Sequence, residues 1–128
     1  MPINNYTNML PGSKPGGKTK EPKYKNEPGI YTGVWIQSKK EGERYLELVE
    51  MNRIGLISQL SRQPKFVLIH AFNHKYGHQK RETYSADFRY IRDGKVIIED
   101  TKGVQTPLFK LKMKILLKNH PSINFILT

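Results

Sequence analysis

The stretch Glu82-Thr-Tyr-Ser-Ala-Asp87-Phe-Arg-Tyr-Ile-Arg92-Asp93-Gly94-Lys95-Val-Ile-Ile-Glu99-Asp100-Thr-Lys102 contains two β-rich segments, Glu82–Ile91 and Lys95–Lys102, joined at Asp93-Gly94. Asp-Gly between alternating apolar residues marks a two-residue hairpin turn, because both loop positions need positive φ. With Asp93 and Gly94 as the loop, Arg92 faces Lys95, and further along the ladder Asp87 faces Asp100. Alternation then puts Asp87, Asp100 and Lys102 on one face, with Ser85 opposite Lys102. Tyr84, Ala86, Phe88 and Tyr90 form a core-facing row on the other face. Two opposed carboxylates repel and cost stability, and a divalent cation between them removes that cost. Glu99 alternates away from Asp100, so Asp100 is the expected ligand. A bulge or a longer loop would shift the register by one and break the pairing.

Upstream of this hairpin, Gln63–Phe72 holds the apolar run Phe66-Val-Leu-Ile, a strand, and the polar run Asn73–Arg81 follows as a loop. Ser38-Lys-Lys-Glu41 fits a capping box that opens a helix running to about Arg53 and stopping before Gly55. On that helix Glu41 lines up with Tyr45, Leu48 and Val49, whereas Glu43, Glu47 and Glu50 cluster on the far side. Glu41 is therefore the one glutamate directed toward the sheet. Two roles stay open for it: partner of Ser38 in the cap, or third acid of a metal site.

Ahead of the helix, Gly-Ile-Tyr and Val-Trp-Ile around Thr32-Gly33 predict a small hairpin anchored by Trp35, the single tryptophan. Downstream, Thr106-Pro107 is an N-cap followed by an N1 proline, opening a helix to about Asn119, just before Pro121. A strand at Ile123–Leu127 ends the pattern. Residues 1–22, with prolines at 2, 11, 15 and 22, have almost nothing to bury and predict a flexible basic arm. Residues 23–128 predict one α/β domain of order helix, strand, strand, strand, helix, strand, with a mixed central sheet flanked by helices and the hairpin in front.

The chain has 128 residues and a net charge of +11, which points to a polyanionic partner. The absence of cysteine excludes a disulfide framework, a thiolate metal site and a cysteine nucleophile. No apolar run approaches the about 18 residues of a membrane span. Met1–Leu10 lacks a charged-then-apolar signal pattern, so a soluble cytoplasmic protein without a membrane partner is expected.

The tripeptide acid-X-Lys occurs three times, ending at Lys23, Lys95 and Lys102, against roughly one occurrence expected by chance for this composition. Alone it carries nothing. Only Asp100-Thr-Lys102 ends an apolar strand and has a second aspartate on the strand before it.

Glu41 on the first helix, Asp87 on one strand, Asp100-Thr-Lys102 on the next, and the element order resemble the core of the PD-(D/E)XK nuclease superfamily. More closely, Ser38-Lys-Lys-Glu-Gly-Glu-Arg-Tyr, Gln63-Pro-Lys-Phe, Tyr84-Ser-Ala-Asp-Phe and Glu99-Asp-Thr-Lys-Gly, followed by Thr106 and a lysine-rich helix, resemble a small phage and prophage family. That family was long known only as a domain of unknown function and is placed among these nucleases. The likeness covers about residues 24–128, with Ala86 where the superfamily's name has proline and Asp100 as the acid of the second motif.

The resemblance implies a PD-(D/E)XK nuclease-like core and a metal-dependent DNA endonuclease hydrolysing phosphodiester bonds. Its catalytic set would be Glu41, Asp87, Asp100 and Lys102, with Mg²⁺ or Mn²⁺ held by Glu41, Asp87, Asp100 and the Thr101 carbonyl. Lys102 would orient the attacking water or stabilise the transition state; its bland alternative is a salt bridge to Asp100. Analogy with small phage nucleases suggests branched DNA, as for a junction resolvase in recombination or replication, acting in the host cytoplasm. Symmetric junctions favour a two-fold homodimer.

Residues 38–61 are charge-balanced, whereas residues 62–128 carry +8 and residues 1–37 carry +3. Lys110, Lys114 and Lys118 form a stripe along the second helix, either a solvated face or a phosphate contact. Lys80 and Arg81, at the end of His74-Lys-Tyr-Gly-His78-Gln, are candidates to grip a DNA backbone. His74 and His78 have ligand-like spacing but no cysteine or third histidine nearby, which argues against zinc. Nothing reads out base sequence, so non-specific or structure-selective cutting is expected. The competing readings are a nucleic-acid-binding module that does not cut and a packaging-associated accessory protein.

Overall fold

The computed structural model describes residues 27–128; the arm expected over 1–22 lies outside them. At its centre is a four-stranded mixed sheet of order β10-β9-β8-β3, in which β10 (Asn124–Leu127) runs parallel to β9 (Lys95–Asp100). β8 (Phe88–Arg92) runs antiparallel both to β9 and to β3 (Ser58–Arg62). The parallel β9–β10 pair needs a crossover, and helix α2 (Pro107–Asn119) supplies it. Helix α1 (Lys39–Arg53) precedes β3, so the elements of this sheet follow the chain order helix, three strands, helix, strand.

The β8–β9 hairpin has the expected register. Arg92 pairs with Lys95 and Phe88 with Glu99, around Asp93 at φ 51° and Gly94 at φ 75°. Both helix starts are also as expected. The Ser38 side chain accepts from the Glu41 N–H at 3.0 Å, and the Thr106 hydroxyl accepts from the Phe109 N–H at 3.1 Å. Of the two halves of a capping box, only the Ser38 half is made; the Glu41 side chain turns to Arg62 instead.

Three expectations need correction. The first strand of the sheet is β3, not the Phe66-containing segment; β4 (Lys65–Ile69) forms a separate antiparallel pair with β7 (Glu82–Ser85). The segment Glu82–Ile91 is thus two strands, β7 and β8, broken at Ala86-Asp87. The break faces a matching one at Gln63-Pro64: the Gln63 N–H donates to the Asp87 carbonyl at 2.9 Å and the Ala86 N–H to the Pro64 carbonyl at 3.1 Å. Pro64 has no N–H to extend the ladder, and Gln63 turns at φ 57°, so both chains leave the main sheet together. Ser85 consequently pairs with Lys65 rather than facing Lys102. The expected single row of Tyr84, Ala86, Phe88 and Tyr90 is divided as well: Phe88 and Tyr90 pack with Leu48 and Ile57 on the α1 side, while Tyr84 and Ala86 join Ile98, Phe109 and Leu116 on the α2 side.

Second, the polar run Asn73–Arg81 is not a plain loop. With Phe72 it makes the hairpin of β5 (Phe72–His74) and β6 (Gly77–Gln79), where His78 bonds Asn73 at 2.7 Å and His74 stacks on Tyr76. Third, Trp35 does not anchor its hairpin. In β1 (Gly29–Tyr31) and β2 (Val34–Ile36), Trp35 and its cross-strand partner Ile30 point outward, at 59% and 72% exposure. Ile36 is buried instead, and Tyr31 lies against Gly42 of α1, so closely that a Cβ there would sit 2.2 Å from the ring. Loss of the side chain at position 42 is what lets the hairpin dock on the helix.

Candidate metal and phosphate site

The break at Ala86-Asp87 places Asp87 at the end of β8, where β9 also ends. The Asp87 N–H donates to the Glu99 carbonyl at 3.1 Å, and Thr101 grips Asp87 Oδ2 twice, by its N–H at 2.7 Å and its hydroxyl at 2.6 Å. Asp100 lies one layer deeper, 1% exposed, accepting the Tyr84 hydroxyl, with Lys102 Nζ at 3.9 Å. Burial pushes the Asp100 carboxyl up to about 7, with the adjacent Asp87 adding to the rise and Tyr84 and Lys102 opposing it. The same burial, with Asp100 as its acceptor, pushes the Tyr84 phenol up.

Glu41 comes from the first turn of α1 with its carboxylate 15% exposed. Burial and the Asp87 charge raise its pKa, while the Arg62 guanidinium, 3.4 Å away, partly offsets them. Glu47 and Glu50 are exposed on the far side of the helix, as the helical spacing predicts, but Glu43, also exposed, lines the same cleft as Glu41, which corrects its expected place on the far side. Glu41 and Asp87 share a cleft of about 640 Å³ with Thr101 and Lys102, whose lining also holds Lys39 and Lys40 and, against them, Glu27 and Glu43. Lys102 Nζ rests over the Phe109 ring at 5.0 Å, a cation–π contact on the α2 side of the site.

The acids are therefore linked as neighbours, Glu41 to Asp87 and Asp87 to Asp100, with Asp87 in the middle. Among the described residues no three histidine or acidic side chains close on one point as a preformed metal cage. The donor set is nonetheless that of a hard cation: carboxylate oxygens that repel one another, with the nearest cations at 3.4 and 3.9 Å. A divalent ion fits that imbalance of charge.

The other candidates fall outside the cleft. Lys80 and Arg81 are exposed at the start of β7, at the other end of that strand from Asp87, and do not line it. Lys110, Lys114 and Lys118 are exposed along α2; Lys110 and Lys114 border a groove with Phe125 and Leu127. Of the basic groups near the acids, Lys102 was expected, whereas Arg62 at Glu41 and the cleft-lining Lys39 and Lys40 were not singled out by charge patterning. Lys39 and Lys40 lie inside the capping motif itself, which was the available signal. Glu99 was rightly set apart from the acids. It is fully buried on the α1 side, held by Arg44 at 2.6 and 3.0 Å and by the Tyr90 hydroxyl at 2.7 Å. Burial and Glu99 raise Tyr90 to about 12.

No helix of the described residues is long and apolar enough to cross a membrane. The chain matches, over residues 21–127, the family described as "Protein of unknown function (DUF1064)", and it belongs to that family. No curated relative matches the sequence. The family description names no activity and no superfamily, so the likeness to PD-(D/E)XK nucleases is carried by the residues alone.

Proposed function

We propose that this DUF1064-family chain is a metal-dependent DNA endonuclease with a PD-(D/E)XK-like site, hydrolysing phosphodiester bonds in the cleft between α1 and the ends of β8 and β9. The observation that carries the reading is the pairing of Asp87 with the buried Asp100, with Lys102 beside them. A fold stabilised for its own sake gains nothing from two adjacent carboxylates.

Glu41, Asp87 and Asp100, with the Thr101 carbonyl, would hold Mg²⁺ or Mn²⁺, whose chemistry is to acidify a water and offset charge on the phosphate. Thr101 keeps Asp87 in place through its two hydrogen bonds, and Tyr84 does the same for Asp100. Lys102 supplies an ammonium to the attacking water or to a phosphate oxygen as its charge develops. Lys39 and Lys40, at the positive N-terminal end of α1, hold neighbouring phosphates. None of these groups reads a base edge, which suits structure-selective or non-specific cutting.

The test is incubation of plasmid and synthetic four-way junctions with the protein and Mg²⁺ or Mn²⁺. Cleavage is expected, abolished by D100N with binding intact; intact substrates under every condition overturn the nuclease reading. One observation favours a second reading, a DNA-binding module that does not cut: Asp87 and Asp100 already have protein donors. Binding without cleavage by wild type would select it.

A further inference from the structure

Next to the acidic cleft lies a smaller pocket of about 260 Å³ lined by Trp35, Gln37, Glu41, Arg62 and Gln63. It shares Gln37 and Glu41 with the cleft, so the two adjoin. Its floor is Arg62, whose guanidinium sits over the Tyr45 ring at 5.7 Å. Of its five N–H donors, the described residues engage one, at the long distance of 3.4 Å to Glu41, and the buried Nε has no partner. A guanidinium left this short of acceptors is suited to an anion with several oxygens.

The rim is Trp35. Alternation along the docked hairpin turns Tyr31 and Ile36 inward and Ile30 and Trp35 outward, so the indole packs no core and stands on the middle of β2, in a hairpin docked on α1. Exposed aromatic rings on fixed backbone are the usual platform for a nucleobase. A paired base cannot leave the stack without losing its partner, at a duplex end as well as inside, so a nucleotide already unpaired is the one that can use this platform.

Resting on the nuclease reading, we propose that this pocket is a subsite for one unstacked nucleotide beside the scissile phosphate, its phosphate on Arg62 and its base on Trp35. The substrate class is then DNA with an unpaired or frayed nucleotide, rather than uninterrupted duplex.

Because Trp35 is the single tryptophan, its fluorescence reports the subsite directly in the full chain. The experiment titrates the cleavage-dead D100N protein with forked and blunt oligonucleotides, following tryptophan emission and, separately, anisotropy of labelled DNA. Forked DNA should quench the emission and blunt duplex should not. W35A in the same background should bind forked DNA about 10-fold more weakly with little change for blunt duplex, and W35F should restore most of the loss. R62Q should lower the salt dependence of binding by about one phosphate contact. Binding of forked DNA without quenching, or equal losses on both DNAs with W35A, overturns the subsite and leaves the nuclease reading standing. Quenching by forked DNA that the wild type never cleaves keeps the subsite and removes the nuclease. Absence of binding to any DNA removes both.

Discussion

Thr101 holds Asp87 with two hydrogen bonds to the same oxygen, one from its backbone N–H and one from its hydroxyl. Residues separated by the whole β8–β9 hairpin are thereby clamped where the two strands end. T101V keeps the backbone bond and loses the other. Partners that orient metal ligands are worth about 10–100-fold in affinity, so Mn²⁺ binding to T101V, measured by calorimetry, should weaken by at least about 10-fold. Unaltered affinity would show that Asp87 needs no such clamp.

Asp100 makes stability depend on pH in a defined direction. Its carboxyl is raised from an ordinary 3.8 to about 7 in the folded chain, so the unfolded chain gives up this proton more readily than the folded one. The contribution is full below about pH 4 and is lost as pH rises through about 7. Urea unfolding in chelator should find the wild type less stable at pH 8 than at pH 5, with about 1 kcal/mol or more of the difference absent in D100N. Mn²⁺ should restore the wild type at pH 8. Equal losses in the two proteins would contradict the assignment.

Arg44 and Glu99 form a bidentate pair in which Glu99 is fully buried. Removing only the cation strands the carboxylate, so R44M should cost about 3 kcal/mol in denaturant unfolding. Neutralising both, in R44M/E99Q, should recover a large part of that loss. A double variant no more stable than the single one would mean that packing of the Arg44 stem, not charge, is what matters.

Gly42 carries the docking of the N-terminal hairpin. G42A gains about 1 kcal/mol of helix propensity but pushes a methyl group into the Tyr31 ring. Hydrogen exchange should show the β1 and β2 amides opening in G42A, while α1 stays protected. In a Y31A background the same substitution should raise stability, since the clash has gone. Protected hairpin amides in G42A would show that the ring moves aside at little cost.

Much of the frame was legible because its signals are local. Asp93-Gly94 and the apolar alternation set the register that brings Asp87 and Asp100 together, and Ser38, Thr106 and Pro107 mark the helix starts. Helical spacing turned Glu41 toward the sheet, though it also sent Glu43 to the far side, where the structure has it on the same cleft. Trp35 was misjudged because a lone tryptophan in an apolar triplet looks like an anchor, and only the docking of Tyr31 on Gly42 decides which face of the hairpin turns inward. Arg62 carried no local signal at all.

By itself, the sequence determined the two described helices, the front hairpin, the closing strand, the register of the β8–β9 hairpin, the pair of aspartates and the excess of positive charge. Tertiary structure alone decided that β7 and β8 part at Ala86-Asp87, because the cause is Pro64, more than twenty positions earlier and met only after folding. It alone sent Glu99 to Arg44, 55 positions away, and left Arg62 between Glu41 and an exposed indole. Turns and caps act on neighbouring dihedral angles and can be read from a few residues. Burial and charge pairing depend on which distant surfaces meet, which no short window of sequence contains.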